Sequence, residues 1–235
     1  AADFATLAKK EINPVLKDSH GKDKAASAIR DIVTGIEKIS RNILVNRGAD
    51  IIKFDYENIK KPLQSLQQDD IFIKPLGPLM SVIEKKIDVF AKDDIKNGFR
   101  AVEWSVEHGL YQQAVTMLQE NIVTCILAEE KMDWGLEKNR NAVSKAIKIV
   151  SEKIEEWKVD DEEERLLIEK ILDNHVVVEL CGAFESLRHL RNDVNHGGYI
   201  TEENKMAKSS QSILDRFKKS YSEIKQKMKI YGAWK

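Results

Sequence analysis

The sequence predicts an all-α fold, a helical bundle preceded by a helical N-terminal region, and three observations carry that expectation. Glycine and proline are scarce, 11 and 4 in 235 residues, whereas sandwiches and barrels need many turn residues. Charged residues make up 33% of the chain, which suits long helices laced with surface ion pairs. Apolar residues recur at spacings of three and four, and few segments show the period-two alternation of a strand.

The elements follow in order. Residues 25–45, AASAIRDIVTGIEKISRNILV, set Ile29, Ile32, Ile36, Ile39 and Ile43 on one helical stripe. Residues 46–62 hold Gly48, Pro62 and mixed charges and read as a connection carrying a turn of helix. Pro75, Gly77 and Pro78 break the chain again, and a helix over about 79–90 follows. Residues 94–107, DIKNGFRAVEWSVE, form another helix, stopped near His108 and Gly109. A long helix restarts over 110–130, apolar at 110, 114, 118, 122 and 126. So short a connection implies an antiparallel hairpin. Residues 138–157 are a further helix, and the acidic run EEWKVDDEEE at 155–164 covers a solvent face or a turn. Residues 162–195 read as a long helix with room for a break. The last helix spans 202–229, with Ile213, Phe217, Tyr221, Ile224 and Met228 along one side. A boundary near 91–97 separates a helical N-terminal or linker region, 1–94, from a helical domain, 95–235.

The formal net charge of −1 argues neither for nor against a polyanionic partner. Charge is uneven, however: from Glu203 onward nine Lys or Arg face three acids, so an anionic partner is expected at that end. Cys125 and Cys181 are far apart and lie in apolar stretches, and are read as buried free thiols rather than a disulfide or zinc knuckle. With no apolar run of transmembrane length and no signal-peptide pattern, the expectation is a cytoplasmic protein with no membrane partner. The opening AADFATLAKK lacks an initiator methionine, and the chain is read as a segment of something longer.

One stretch concentrates polar chemistry: LRNDVNHGGY, residues 190–199. On a helix over 176–196, Val177, Leu180, Phe184, Leu187, Leu190 and Val194 form the buried stripe. His189 and His196 each stand two positions past a stripe residue, about 200° round. Arg188, His189, Arg191, Asn192, Asn195 and His196 are expected on an exposed or interfacial face. Arg191 and His196 are five apart, about 140° on an ideal helix. They meet over one small group only if the helix unwinds at Gly197 and Gly198, or if a second copy completes the site. Such residues suit RNA cleavage by internal transesterification. Histidine moves protons near neutral pH, a guanidinium stabilises phosphate charge, and no metal is needed. Spacing alone leaves open a polar helix end, and a zinc site from Glu185 with His189 and Asp193 with His196.

The run Arg191-Asn192-Asp193-Val194-Asn195-His196, late in an all-α chain, resembles the Arg-x4-His signature of the HEPN superfamily of ribonucleases. Upstream, AVEWSVEHGLYQQAVTMLQENI resembles the segment that opens the HEPN domain in CRISPR-associated ancillary ribonucleases, where a CARF sensor domain precedes it. The resemblance covers roughly residues 95–230. It implies a metal-independent endoribonuclease without cofactor, a homodimer cutting single-stranded RNA to 2′,3′-cyclic phosphate ends in CRISPR-linked antiviral defence. Arg191 and His196 become the catalytic pair with Asn192 in support, and Asn195, Arg188 and Tyr199 become RNA contacts. Cyclic oligoadenylate would act only through a sensor domain, which this chain does not show: its first hundred residues read as helices. HEPN bundles also serve as non-catalytic dimerisation or partner-binding modules, which is the alternative.

Other residues have plainer readings. Trp104, Gly109, Tyr111 and Ala114 also resemble a tetratricopeptide hairpin, but no second copy recurs. His108 suits helix capping. Lys218, Lys219, Lys225, Lys227 and Lys229 form a basic face able to meet RNA phosphates. Tyr199 either stacks on a base or packs on the final helix. His20 and His175 have no obvious companions.

Overall fold

The computed structural model describes residues 2–68, 77–152, 161–199, 208–230, 232 and 234. These residues form eleven helices and no strand, as the composition and spacing predict. The chain divides into two compact units, Ala1–Ala101 and Val102–Lys235.

In the first unit α1 (Ala2–Asp18) and α4 (Glu57–Gln68) both pack on α2 (Lys24–Leu44). Asp23 caps α2 by accepting from the Ala26 amide at 2.9 Å. Ile32, Ile39 and Ile43 of the expected stripe are buried, and Ile29 and Ile36 half-buried. Gly35 marks the closest approach of α2 to α4: a Cβ there would stand 2.4 and 2.6 Å from the Ile59 side chain. Glu37 is buried on the same helix beside Lys9, and Arg41 reaches it at 2.6 Å.

The expected connection over 46–62 carries its turn of helix, but a second helix also begins inside it. It holds α3 (Gly48–Ile52) and the start of α4, which runs through Pro62. A proline inside a helix loses one backbone bond and costs about 3 kcal/mol. Against this, Ile59, Leu63 and Leu66 are at most 3% exposed, and each contributes about 1.5–3 kcal/mol by burial. Packing outweighs propensity. Next, α5 (Gly77–Ile87) begins with Pro78 in its first turn, where no amide partner is lost. It stops short of the expected residue 90, because Phe90 turns inward to stack on Tyr56 at 4.7 Å. Pro75 lies outside the described residues. Helix α6 (Lys96–Glu107) crosses the division between the units.

The second unit contains α7 (Tyr111–Glu129), α8 (Glu137–Glu152), α9 (Glu162–Leu172), α10 (His175–His196) and α11 (Ser210–Ile230). Helix α10 is its centre, packed on α7, α8, α9 and α11. The expected hairpin of 94–107 with 110–130 falls across the division between the units. In this unit α6 keeps only a short stub, whose Glu103 pairs with Lys225 and accepts from Trp234 Nε1 at 2.9 Å. Residues 162–195 break at Asp173–Asn174. The Asn174 side chain caps α10 through the Val176 amide at 2.9 Å and donates to Glu130 at 2.7 Å. Part of the acidic run has an electrostatic role: Asp161 caps α9 and Glu162, Glu163 and Glu164 occupy its positive first turn. Residues 153–160 and 200–207 are outside the described residues, so the expected ends of the helices at 157 and 202 are too. Neither cysteine is in a disulfide and both are only half-buried, with Cys181 Sγ donating to the Val178 carbonyl. Among the described residues, no helix is long and apolar enough to cross a membrane.

Candidate functional site

Helix α10 carries the polar motif, and it stays regular to His196. Unwinding at Gly197 and Gly198, one of the two ways in which Arg191 and His196 could meet, therefore does not reach the motif. Gly197 ends the helix in the left-handed region, φ 59°, and its amide donates to the Val194 carbonyl.

Arg191 is expected on an exposed or interfacial face, and it is half-buried. It follows Leu187 by four and Phe184 by seven, so it continues the buried stripe. Its side chain is 29% exposed, and its Nε is buried without a hydrogen-bond partner. The guanidinium reaches across to α7, where Nη1 meets Glu120 Oε1 at 3.4 Å. Glu120 is held from its other side by Arg140 of α8 at 2.7 Å. Arg140 is itself fixed by the carbonyls of Trp134 (2.8 Å) and Glu120 (3.0 Å) and the Thr124 hydroxyl (3.1 Å). The arrangement is a carboxylate clamped between two guanidinium groups.

The rest of the motif separates by side of the helix. Towards α7, the Asn195 carbonyl oxygen accepts from Gln112 at 3.4 Å. Arg188 is tied to Glu185 through two donors, at 2.7 and 2.6 Å. Asn192 is exposed. On the opposite side lie His189, Asp193 and His196. His196 is exposed, and Asp193 pairs with Lys208 at 3.3 Å. Tyr199 is 94% exposed and so does not pack on the final helix. The structure thus places Arg191, Arg188 and Asn195 on one side and His196 on another, about 140° from Arg191.

The zinc reading gains no third ligand. His189 Nε2 lies 4.0 Å from Glu185, and among the described residues no group of three or more His, Cys, Asp and Glu side chains is placed to hold a metal ion. His108 caps α6, donating to the Trp104 carbonyl at 2.8 Å. Tyr111 packs edge-on against Phe217, 5.6 Å between rings. Of the C-terminal basic residues, Lys225 is enclosed by Glu103 and the rings of Tyr221 and Trp234. Lys227 is bound to Glu223 and the Glu179 carbonyl. Lys218, Lys219 and Lys229 are exposed.

Sequence reasoning missed Glu120 and Arg140. The one available signal was a charged residue inside the apolar run of α7, where Gln119 and Asn121 beside it each keep a buried amide atom without a partner. No protein-family model, curated protein or solved structure matches the chain.

Proposed function

We propose that the chain is a HEPN-type, metal-independent endoribonuclease that cuts single-stranded RNA as a homodimer, with Arg191 and His196 as its catalytic pair. The observation that carries the reading is the end of α10: a half-buried guanidinium, held by Glu120, and an exposed imidazole on one regular helix. Because the helix keeps them about 140° apart, one chain presents the two groups in different directions. A second copy of α10 supplies the missing member. Asn192 is exposed beside them to support the phosphate, and Asn195, Arg188 and Tyr199 contact the strand.

In the reaction the ribose O2′ attacks phosphorus as its proton passes to the His196 imidazole. The P–O5′ bond breaks, and the departing 5′ oxygen takes up a proton from water, while His196 later returns its own proton to solvent. Arg191 stabilises the charge on the phosphate oxygens. The products are a 2′,3′-cyclic phosphate and a 5′-hydroxyl. To bind phosphate, Arg191 must leave Glu120. That part-exposed contact contributes no more than about 1 kcal/mol, less than a charge-assisted bond to phosphate returns. On the family resemblance the role is CRISPR-linked antiviral defence in the cytoplasm, with cyclic oligoadenylate acting only through a sensor domain.

Labelled single-stranded RNA should be cut in the presence of EDTA to cyclic-phosphate ends, and His196→Ala should slow cutting by about 10²–10⁴-fold. Loss of cutting in EDTA, or full activity of the variant, rules the reading out. The engagement of Arg191 by Glu120 favours a second reading, a non-catalytic partner-binding module. Uncut RNA together with a tight stoichiometric protein complex would establish that one.

A further inference from the structure

The groove between α10 and α11 lies on the side of α10 that carries His196. The two helices run antiparallel: Lys227 donates to the Glu179 carbonyl at 2.8 Å towards one end, and Lys208 meets Asp193 at 3.3 Å towards the other. Between these contacts is a groove of about 400 Å³ lined by Glu179, Gly182, Ala183 and Ser186 of α10 and by Arg216, Lys219, Ser220, Glu223 and Lys227 of α11. Lys227 and Glu223 neutralise each other at 2.9 Å. Arg216 and Lys219 have no acidic partner among the described residues, and the Ser186 and Ser220 hydroxyls make no hydrogen bond there.

Three features suit a phosphodiester backbone. Arg216 and Lys219 attract phosphate, opposed in the lining by the Glu179 carboxylate alone once Lys227 and Glu223 have cancelled, and a guanidinium binds it through two donors. Two unused hydroxyls can bond phosphate or ribose oxygens. The floor is small: nothing lies within 4 Å of where a Gly182 Cβ would stand, so packing does not demand the glycine, and its absent side chain leaves the floor open to close approach. His189, Asp193 and His196 follow Gly182 by seven, eleven and fourteen residues. They lie within about 40° of it around the helix, so one face carries both the groove and the imidazole.

We propose that this groove binds the sugar-phosphate backbone of single-stranded RNA and guides the strand to His196. The inference rests on the ribonuclease reading and extends it to the path of the substrate. The test measures binding of a fully 2′-O-methylated single strand, which has no attacking hydroxyl, by fluorescence anisotropy over a salt series. Replacing both Arg216 and Lys219 with alanine should lower the slope of log affinity against log salt by about 1.4, since each phosphate neutralised on a single strand accounts for about 0.7. Gly182→Leu should weaken binding several-fold while leaving the circular dichroism unchanged. Lys138→Ala, exposed on α8 and outside the groove lining, should leave the slope as it is. Wild-type slope and affinity in both groove variants overturn the proposal, as does an equal drop in slope in Lys138→Ala or a failure of the wild type to bind. Groove-dependent binding without cutting of ordinary RNA removes the ribonuclease reading and leaves the groove. Cutting that ignores the groove variants removes the groove and leaves the ribonuclease.

Discussion

Replacing Arg191 with alanine separates a catalytic guanidinium from a structural one, because the two roles predict different magnitudes. The side chains of Arg191 and Glu120 are 29% and 48% exposed and meet at 3.4 Å. Pairs this wet contribute about 0.2–1 kcal/mol. After truncation Glu120 keeps its 2.7 Å contact with Arg140, so no buried charge is stranded. The unpartnered Nε disappears with the side chain, which offsets part of the packing that the aliphatic stem provided. Arg191→Ala should therefore lower unfolding stability by about 1–2 kcal/mol, measured by urea titration with circular dichroism. Loss of a donor aimed at transition-state charge should meanwhile slow single-turnover RNA cleavage in EDTA by about 10²–10³-fold. Arg191→Lys should recover stability but little activity, since an ammonium lacks the two-pronged geometry. Cleavage retained alongside a destabilisation above about 3 kcal/mol, the signature of breaking a buried ion pair, would refute the reasoning and make Arg191 a structural residue.

Two further outcomes concern the first unit. Gly35→Ala pushes a methyl into Ile59 and should destabilise by about 1–3 kcal/mol, less the roughly 1 kcal/mol that alanine gains over glycine in a helix. Adding Ile59→Val should recover part of the loss in urea melts, and a more stable single variant would disprove the close approach. The hydrogen bond from Lys9 holds the Glu37 carboxyl below its usual range, against an opposing push from burial and with the Arg41 charge adding to it. A carboxyl lowered on folding stabilises above its unfolded pKa, and that contribution fades as pH falls through the folded value. Glu37→Gln should therefore melt below wild type near neutrality, with the gap closing as acid protonates the carboxyl. A gap independent of pH would contradict the ion-pair account.

Several elements were legible because one face of a helix must be apolar. The stripe of α2, the spacing of four in α7 and the spacings of three and four in α11 predicted helices that the structure contains. The segment over 46–62 was legible only in part, since Gly48 and Pro62 signal a break locally while Ile51, Ile52, Ile59 and Leu63 offset that cost only after folding onto α2. At the candidate site, the positions of both histidines off the core followed from helix phase alone. The half-burial of Arg191 was not read because its polarity was weighed above its spacing from Phe184 and Leu187. Glu120 and Arg140, brought to it from 71 and 51 positions away in the chain, have no local signature.

The two attachments of α10 to α7 have a consequence for how this helix tolerates change. Its start is tied down through Asn174 to Glu130, and its last turns through Arg191 to Glu120. Between them the helix behaves as a shaft keyed at both ends. A single residue inserted midway would turn everything beyond it by about 100°. Arg191 would swing off Glu120 and His196 would leave the α11 side, although no residue of the motif had changed. Seven inserted residues, close to two full turns, would restore the rotation but displace the motif along the axis by about 10 Å. Length variation is therefore expected in the connections on either side of α10, and phase-breaking insertions within it should abolish activity while sparing helix content.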